Sequence, residues 1–161
     1  MKTSQLATLF FTCLLGLIPC AATAQPFVVS ADGQEVTDSA TGLIWRRCAE
    51  GMVISLGACT GTASTFSHEL ALTRARTEAI ATGIAWRLPN VKELSSIVDI
   101  SLSNPAIDAT AFPATPADAF WSASPNVGIP SCAWIVYFIN GGVGYNSRTS
   151  SSKVRLVRAG Q

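Results

Sequence analysis

Apolar positions recur along this chain in two rhythms, alternating and helical, and each predicts its own elements. Short β-branched and aromatic runs, Val36-Thr37 and Leu43-Ile44-Trp45, flank a polar stretch at 38–42. That pattern predicts a hairpin over residues 35–46. From 67 to 81 the spacing turns helical. Leu70, Ala71, Ala75 and Ala79 return on one side, Phe66 leads in, and Gly83 supplies a stop. Arg74, Arg76 and Glu78 fall on the wet side. Trp86-Arg87-Leu88 reads as a short extended piece. A second helix is expected over 91–98, with Val91, Leu94, Ile97 and Val98 inward. Asn90 precedes it and Glu93 follows three residues later, the arrangement of a capping box.

Over residues 99–130 both rhythms fade. Pro105, Pro113, Pro116, Pro125 and Pro130 predict irregular chain. Ile107, Phe112, Phe120 and Trp121 are scattered through it and predict that it is pinned to a core, since a disordered linker lacks such anchors. Regularity returns with a strand over 134–138, a turn at Asn140-Gly141-Gly142 and a returning strand over 143–145. A Ser-rich bend at 147–152 leads to a last strand over 154–157, with Val154 and Leu156 on one face. Residues 49–63 read as a Gly-rich loop. Two helices, antiparallel hairpins and a long pinned loop describe an α+β domain.

The first residues read as an export signal. Lys2 gives the positive start, 6–18 is apolar, and Ala22-Thr23-Ala24 is a small-residue cleavage site. The apolar run is too short to span a membrane. Cleavage after Ala24 leaves residues 25–161, 161 − 24 = 137 residues, the size of one domain. Leu17-Ile18-Pro19-Cys20 offers a second reading, a lipoprotein box with lipid on Cys20, which Pro19 fits poorly. Export implies a periplasmic or secreted protein in an oxidising compartment. There Cys48 and Cys59, which bracket the Gly-rich loop, are expected to pair. Cys132 is left over, either a buried small hydrophobe beside Trp134 or one half of an intermolecular disulfide. Without Lys2 the chain has 11 − 1 = 10 basic side chains against 10 acidic ones, a balance that argues against a general nucleic-acid binder and leaves room for a local basic patch.

Five runs, taken in order, resemble a known family. They are Val36-Thr37-Asp38-Ser39-Ala40-Thr41-Gly42-Leu43-Ile44-Trp45, Trp86-Arg87-Leu88-Pro89-Asn90-Val91-Lys92-Glu93-Leu94, Asn104-Pro105-Ala106-Ile107-Asp108, Phe120-Trp121-Ser122-Ala123-Ser124 and Val154-Arg155-Leu156-Val157-Arg158. Together they resemble the C-terminal domain of the Legionella collagen-like adhesin, over nearly the whole mature chain. The resemblance implies a C-type lectin-like module in which the N- and C-terminal strands pair. It also implies kinship with formylglycine-generating enzymes, and binding of sulfated glycans as in the adhesin. Related domains often carry a cysteine in the last strand, where this chain has Leu156. Formylglycine-generating enzymes use a cysteine pair in their C-terminal part; here only Cys132 lies in that region.

Candidate chemistry is sparse. The single histidine, His68, has no zinc-ligand spacing around it and is expected to be solvated or locally bonded. Asp99, Asn104, Asp108 and Asp118 are oxygen donors that suit either calcium or turn capping. No other cofactor is indicated. No serine sits in a nucleophile elbow, and Gly141-Gly142-Val143-Gly144 does not open a helix. Candidate binding residues are Arg46, Arg47, Arg148, Lys153, Arg155 and Arg158, which converge if the terminal strands pair, and Tyr145 in the Gly-rich hairpin. Clustered guanidinium groups suit bidentate recognition of sulfate or carboxylate, and serve equally as ion-pair partners of Glu35, Asp38 or Glu50. Trp45, Trp86, Trp121 and Trp134 are expected core anchors. The reading is a non-enzymatic exported module that binds an anionic glycan or an envelope partner. An envelope assembly module is the alternative, and an oxidase of the formylglycine-generating type is a further one.

Overall fold

The structure, a computed structural model, describes residues 27–160. The expected export signal and the Cys20 lipid site lie outside the described residues. Five strands, two helices and four further strands follow one another along the described chain, and the strands form three antiparallel sheets. β1 (Phe27–Val29), β2 (Glu35–Asp38), β3 (Leu43–Arg46) and β9 (Val157–Ala159) form one sheet in the order β1-β2-β3-β9. β4 (Val53–Ser55) and β5 (Ala58–Thr60) form a small hairpin. β6 (Ala119–Pro125), β7 (Cys132–Tyr137) and β8 (Val143–Ser147) form the third sheet in sequence order. The architecture is α+β. The last strand joins the N-terminal hairpin, pairing Trp45 with Val157.

Local chemistry sets the helix ends. α1 (His68–Thr82) starts where the Ser67 side chain accepts the Leu70 N–H, and stops at Gly83 with φ of 69°. That left-handed conformation favours glycine, which has no Cβ to clash. α2 (Val91–Ser96) has the expected capping box: Asn90 Oδ1 accepts from Glu93 N–H at 2.9 Å and Glu93 Oε2 accepts from Asn90 N–H at 2.8 Å. This helix stops two residues early, with Ile97 as its buried C-cap.

Strands β6 and β7 of the third sheet bury side chains on both faces, since paired residues share a face and successive residues alternate. Phe120 and Val136 pair on one face and join Leu94 and Ile97 beneath α2. Val36, Trp45, Val157, Ile107 and Phe112 complete that core. Trp121 and Ile135 pair on the other face and join Ala71 and Ala75 of α1, with Trp86, Leu88, Val154 and Leu156. Leu70, expected inward, is 58% exposed, because the contact with β6 selects the Ala71–Ala75 stripe.

Two stretches read as loop contain strands. Residues 119–125 form β6, since Phe120 and Trp121 each fill a different core and Pro125 falls at the strand end. The Gly-rich loop holds the β4–β5 hairpin, closed by the Cys48–Cys59 disulfide.

The C-terminal stretch corrects the expected strand over 154–157. Paired strand begins only at Val157. Upstream the chain threads between elements and bonds to each in turn. Ser152 exchanges backbone hydrogen bonds with Phe66, Lys153 with Ala119 and Trp121, and Val157 with Arg87. The carbonyls of Val154 and Leu156 accept from Glu50 and Arg46. Val154, Arg155, Leu156 and Val157 are all 0% exposed.

Arg155 is therefore no surface residue. Its Nη1 donates to the carbonyls of Arg46, at 2.9 Å, and Arg47, and Nη2 donates to Thr115 Oγ1 at 2.7 Å. The guanidinium lies over the Phe112 ring, 4.9 Å from its centroid. Burial pushes its pKa down to about 9, with the Glu50 charge opposing. It still carries charge at neutral pH. Desolvating a cation costs several kcal/mol, and three charge-assisted hydrogen bonds return a similar sum. The group thus contributes mainly by fixing which segments meet.

Arg155→Ala should lower the unfolding free energy by about 3–5 kcal/mol, leaving a void and stranded carbonyls. Arg155→Met, which fills the space, should lose clearly less. Urea unfolding followed by tryptophan emission measures both, and a loss below about 1 kcal/mol for the alanine variant would contradict the clamp. Replacing Cys48 and Cys59 together by serine should lower stability by about 2–3 kcal/mol, as expected for so short a closed loop. Unreduced peptide mapping should recover residues 48 and 59 in one linked fragment; two free thiols would refute the pairing.

Candidate functional site

The cations expected to converge are drawn into internal partnerships. Arg46 pairs with Glu78, which also accepts from Arg74 at 2.8 Å, and Arg74 reaches Glu50 at 2.5 Å. This chain of charges runs from β3 along α1 to the buried Glu50. Arg158 pairs with Glu35 at 2.6 Å. The Arg46 and Arg158 guanidinium carbons lie 4.8 and 5.6 Å from the Trp86 ring centroid. Arg47 donates to the carbonyls of Ala111 and Thr110, both at 3.1 Å. Lys153 donates to the Ala63 carbonyl at 2.8 Å and lies 4.0 Å from Asp118. Arg155 is enclosed. The terminal strands share a sheet, but their cations face inward or along the sheet to local acceptors. Arg87, expected to be structural, makes a bidentate pair with Glu93 at 2.7 Å on both arms. That guanidinium holds the Glu93 carboxyl below its ordinary range.

Arg148, just past the end of β8, meets His68 at the start of α1. His68 is 2% exposed, contrary to a solvated reading. Its Nε2 bonds the Ser122 carbonyl at 3.0 Å, its ring lies edge-on to Trp121, and Nδ1 faces Arg148 Nη1 at 3.4 Å. With Nε2–H donating to the carbonyl, Nδ1 is free to accept from Arg148. Arg148 Nε also donates to the Pro130 carbonyl at 3.0 Å. Desolvation is the main cause that lowers the His68 pKa, and the Arg148 charge adds to it.

Two of the calcium candidates, Asp99 and Asp108, cap turns through their carboxylates. Asp99 accepts from Ser101 N–H and Oγ, and Asp108 from the N–H groups of Thr110 and Ala111. Asn104 donates its N–H to the Ile139 carbonyl. Among the described residues no group of acidic, histidine and cysteine side chains gathers as a metal site. Cys132 is a half-buried free thiol at the start of β7.

One surface does bring aromatic and polar groups together. Register pairs Trp134 with Tyr145 and Val136 with Val143, so all four share one face of β7–β8. The Trp134 and Tyr145 rings meet edge to face at 6.0 Å. Tyr145 is 50% exposed and Val143 51% exposed. Trp134 is half-buried, a platform residue where a core anchor was expected. Beyond Val143, a groove of about 450 Å³ runs against α2, lined by Val91, Lys92, Ser95, Ser96 and Val143. Only Tyr145 of this surface was singled out from sequence. The hairpin turns about residues 139 and 140, which sets 134 opposite 145; a turn centred on Gly141, as expected from Asn140-Gly141-Gly142, would have set 134 opposite 148.

The His68 environment makes a pH prediction. The folded state lowers its pKa, so the unfolded chain takes up the proton first. The stability it contributes is fully present above the unfolded pKa near 6.5 and is lost as pH falls from there toward the folded value. Chemical unfolding between pH 7.5 and 5.0, on the order of the imidazole range, should show a falling stability that His68→Gln largely flattens. The glutamine amide can keep the bond to Ser122. An unchanged slope in the variant would contradict the assignment.

Among the described residues no helix is long and apolar enough to cross a membrane. No curated protein matches the chain. The Lcl C-terminal domain family matches residues 34–158, a span that runs from the N-terminal hairpin to β9 and takes in the capping box, the clamp and the aromatic face. The chain belongs to the Lcl C-terminal domain family.

Proposed function

We propose that this protein is an exported, non-catalytic recognition module of the cell surface or envelope, with a C-type lectin-like fold. Its ligand is a surface glycan, held on the Trp134–Tyr145 face of β7–β8. The exposed Tyr145 ring beside Trp134 carries this reading. A sugar ring presents C–H groups that pack on an aromatic face, while its hydroxyls need polar partners close by. Ser95, Ser96 and the exposed Lys92 line the adjoining groove. Lys92 suits an acidic substituent on the glycan. Membership of an adhesin-related family supports an extracellular role, and the β3–β9 pairing of N- and C-terminal segments supports the lectin-like reading.

The terminal arginines are not part of this site, because each already has an internal partner. Recognition then rests on stacking more than on charge and depends weakly on salt.

The test is a glycan panel, with heparin as the sulfated member, read by the tryptophan emission of the protein. Tyr145→Ala and Lys92→Ala should each weaken binding, the tyrosine change by about tenfold or more, as for a central aromatic contact. Arg158→Ala should leave binding unchanged. Heparin retention that is abolished by salt and by Arg158→Ala but untouched by Tyr145→Ala would overturn the proposed site.

A further inference from the structure

We infer that the outer edge of β8 is a docking edge for a second copy of this chain, paired antiparallel about Gly144. The hydrogen-bond pattern gives the first reason. Tyr137 N–H donates to Gly142, and Arg148 N–H to the Ser131 carbonyl. Both pairs continue the β7–β8 register, in which Ile135 faces Gly144 and Ala133 faces Asn146. Bonded and non-bonded pairs alternate in an antiparallel ladder. Gly144 and Asn146 therefore bond inward to β7, and Val143, Tyr145 and Ser147 point their backbone groups outward. Ser147 is closed off: its N–H donates to Asn146 Oδ1 at 3.0 Å and its carbonyl accepts from Ser150 at 2.9 Å. The open edge is thus Val143–Gly144–Tyr145, and among the described residues no segment pairs with it.

In the two larger sheets the outer edges of β6 and β9 are covered, and β1 is an edge strand of three residues. Lys153 and Pro89 accept or donate along β6, and Arg87 brackets β9 at Val157. The β8 edge has none of the usual guards, since Val143–Ser147 contains no charge, no proline and no bulge.

The occupant follows from self-complementarity. A two-fold axis at Gly144 sets Val143 against Tyr145 of the second copy, and Tyr145 against its Val143. Each of those is a pair with outward-pointing groups on both strands, so the four open N–H groups meet the four open carbonyls. The side chains also match, a β-branched residue beside an aromatic one on the same face. Gly144 meets Gly144 at the close, non-bonded position, where the Tyr137 ring already fills the space a Cβ would take, at 2.9 Å. The two Trp134–Tyr145 faces then lie side by side on one six-stranded sheet. A strand-edge contact of this size gives weak, concentration-dependent association.

Sedimentation velocity of the full chain, between about 10 µM and about 1 mM, should show a monomer passing to a dimer. Tyr145→Pro removes an outward donor without touching the inner ladder and should stay monomeric, with circular dichroism confirming the fold. The register is tested by charge. The double variant Val143→Lys with Tyr145→Lys should stay monomeric, and Val143→Lys with Tyr145→Glu should recover association. A wild-type chain monomeric throughout overturns the inference, as does association that survives both Tyr145→Pro and the lysine pair. Glycan binding by the monomer is read separately, so failure here and failure of the glycan reading are distinguishable.

Discussion

The enclosed guanidinium of Arg155 is the constraint on which the rest of the structure depends. It sits where three segments distant in sequence must meet. Through its hydrogen bonds it joins the end of β3, the irregular stretch that carries Thr115, and the C-terminal chain itself. Planar geometry makes this possible: the fork points several donors in fixed directions while its face rests on Phe112. A lysine has neither the fork nor the face. The backbone around it repeats the same theme, since residues 152–157 bond to Phe66, Ala119, Trp121, Glu50, Arg46 and Arg87. The C-terminal segment acts as a seam between the two larger sheets.

That seam accounts for the fate of the other cations. A buried positive charge needs a negative one near it, and Glu50 supplies the field. Glu50 is itself bound by Arg74, which shares Glu78 with Arg46. Arg46 is therefore an element of an internal charge chain, and Arg47 and Arg158 have their own internal partners. Removing them from the ligand-binding account shifts attention to β7–β8, where Tyr145 stays open beside Trp134 and close to the groove along α2. A rigid sheet, clamped on both faces by helices, holds Trp134 and Tyr145 in fixed relation. The fold thus positions the candidate site apart from the internal charge chain, with Lys92 of α2 as the cation beside it.

Local chemistry was legible in the sequence wherever a few neighbouring residues decide the outcome. Asn90 and Glu93 announced the α2 start, Gly83 the α1 stop, and Asn140-Gly141-Gly142 the β7–β8 hairpin. The Cys48–Cys59 pairing followed from loop and compartment. Features set by distant partners were hidden. Proline density masked β6, because Phe120 and Trp121 become a strand only when β7 supplies the ladder. Leu70 and Ala71 look alike in a helical pattern until a sheet chooses between them. Arg155 reads as a polar residue in an alternating run, and only the carbonyls of Arg46 and Arg47 explain its burial. His68 is similar, since its partners on Ser122 and Arg148 lie far along the chain. Trp134 was placed in the core, because a turn read at Asn140-Gly141-Gly142 misses the observed register that sets it against Tyr145.

The central claim concerns one side chain, and nuclear magnetic resonance of that side chain tests it most directly. With arginine nitrogens labelled, the Arg155 Nη protons should appear as separate, slowly exchanging signals at neutral pH, with cross-relaxation to the Phe112 ring. Enclosure at 0% exposure and three hydrogen bonds require that result. Averaged, rapidly exchanging Nη signals without any contact to Phe112 would place the guanidinium in solvent and contradict the account.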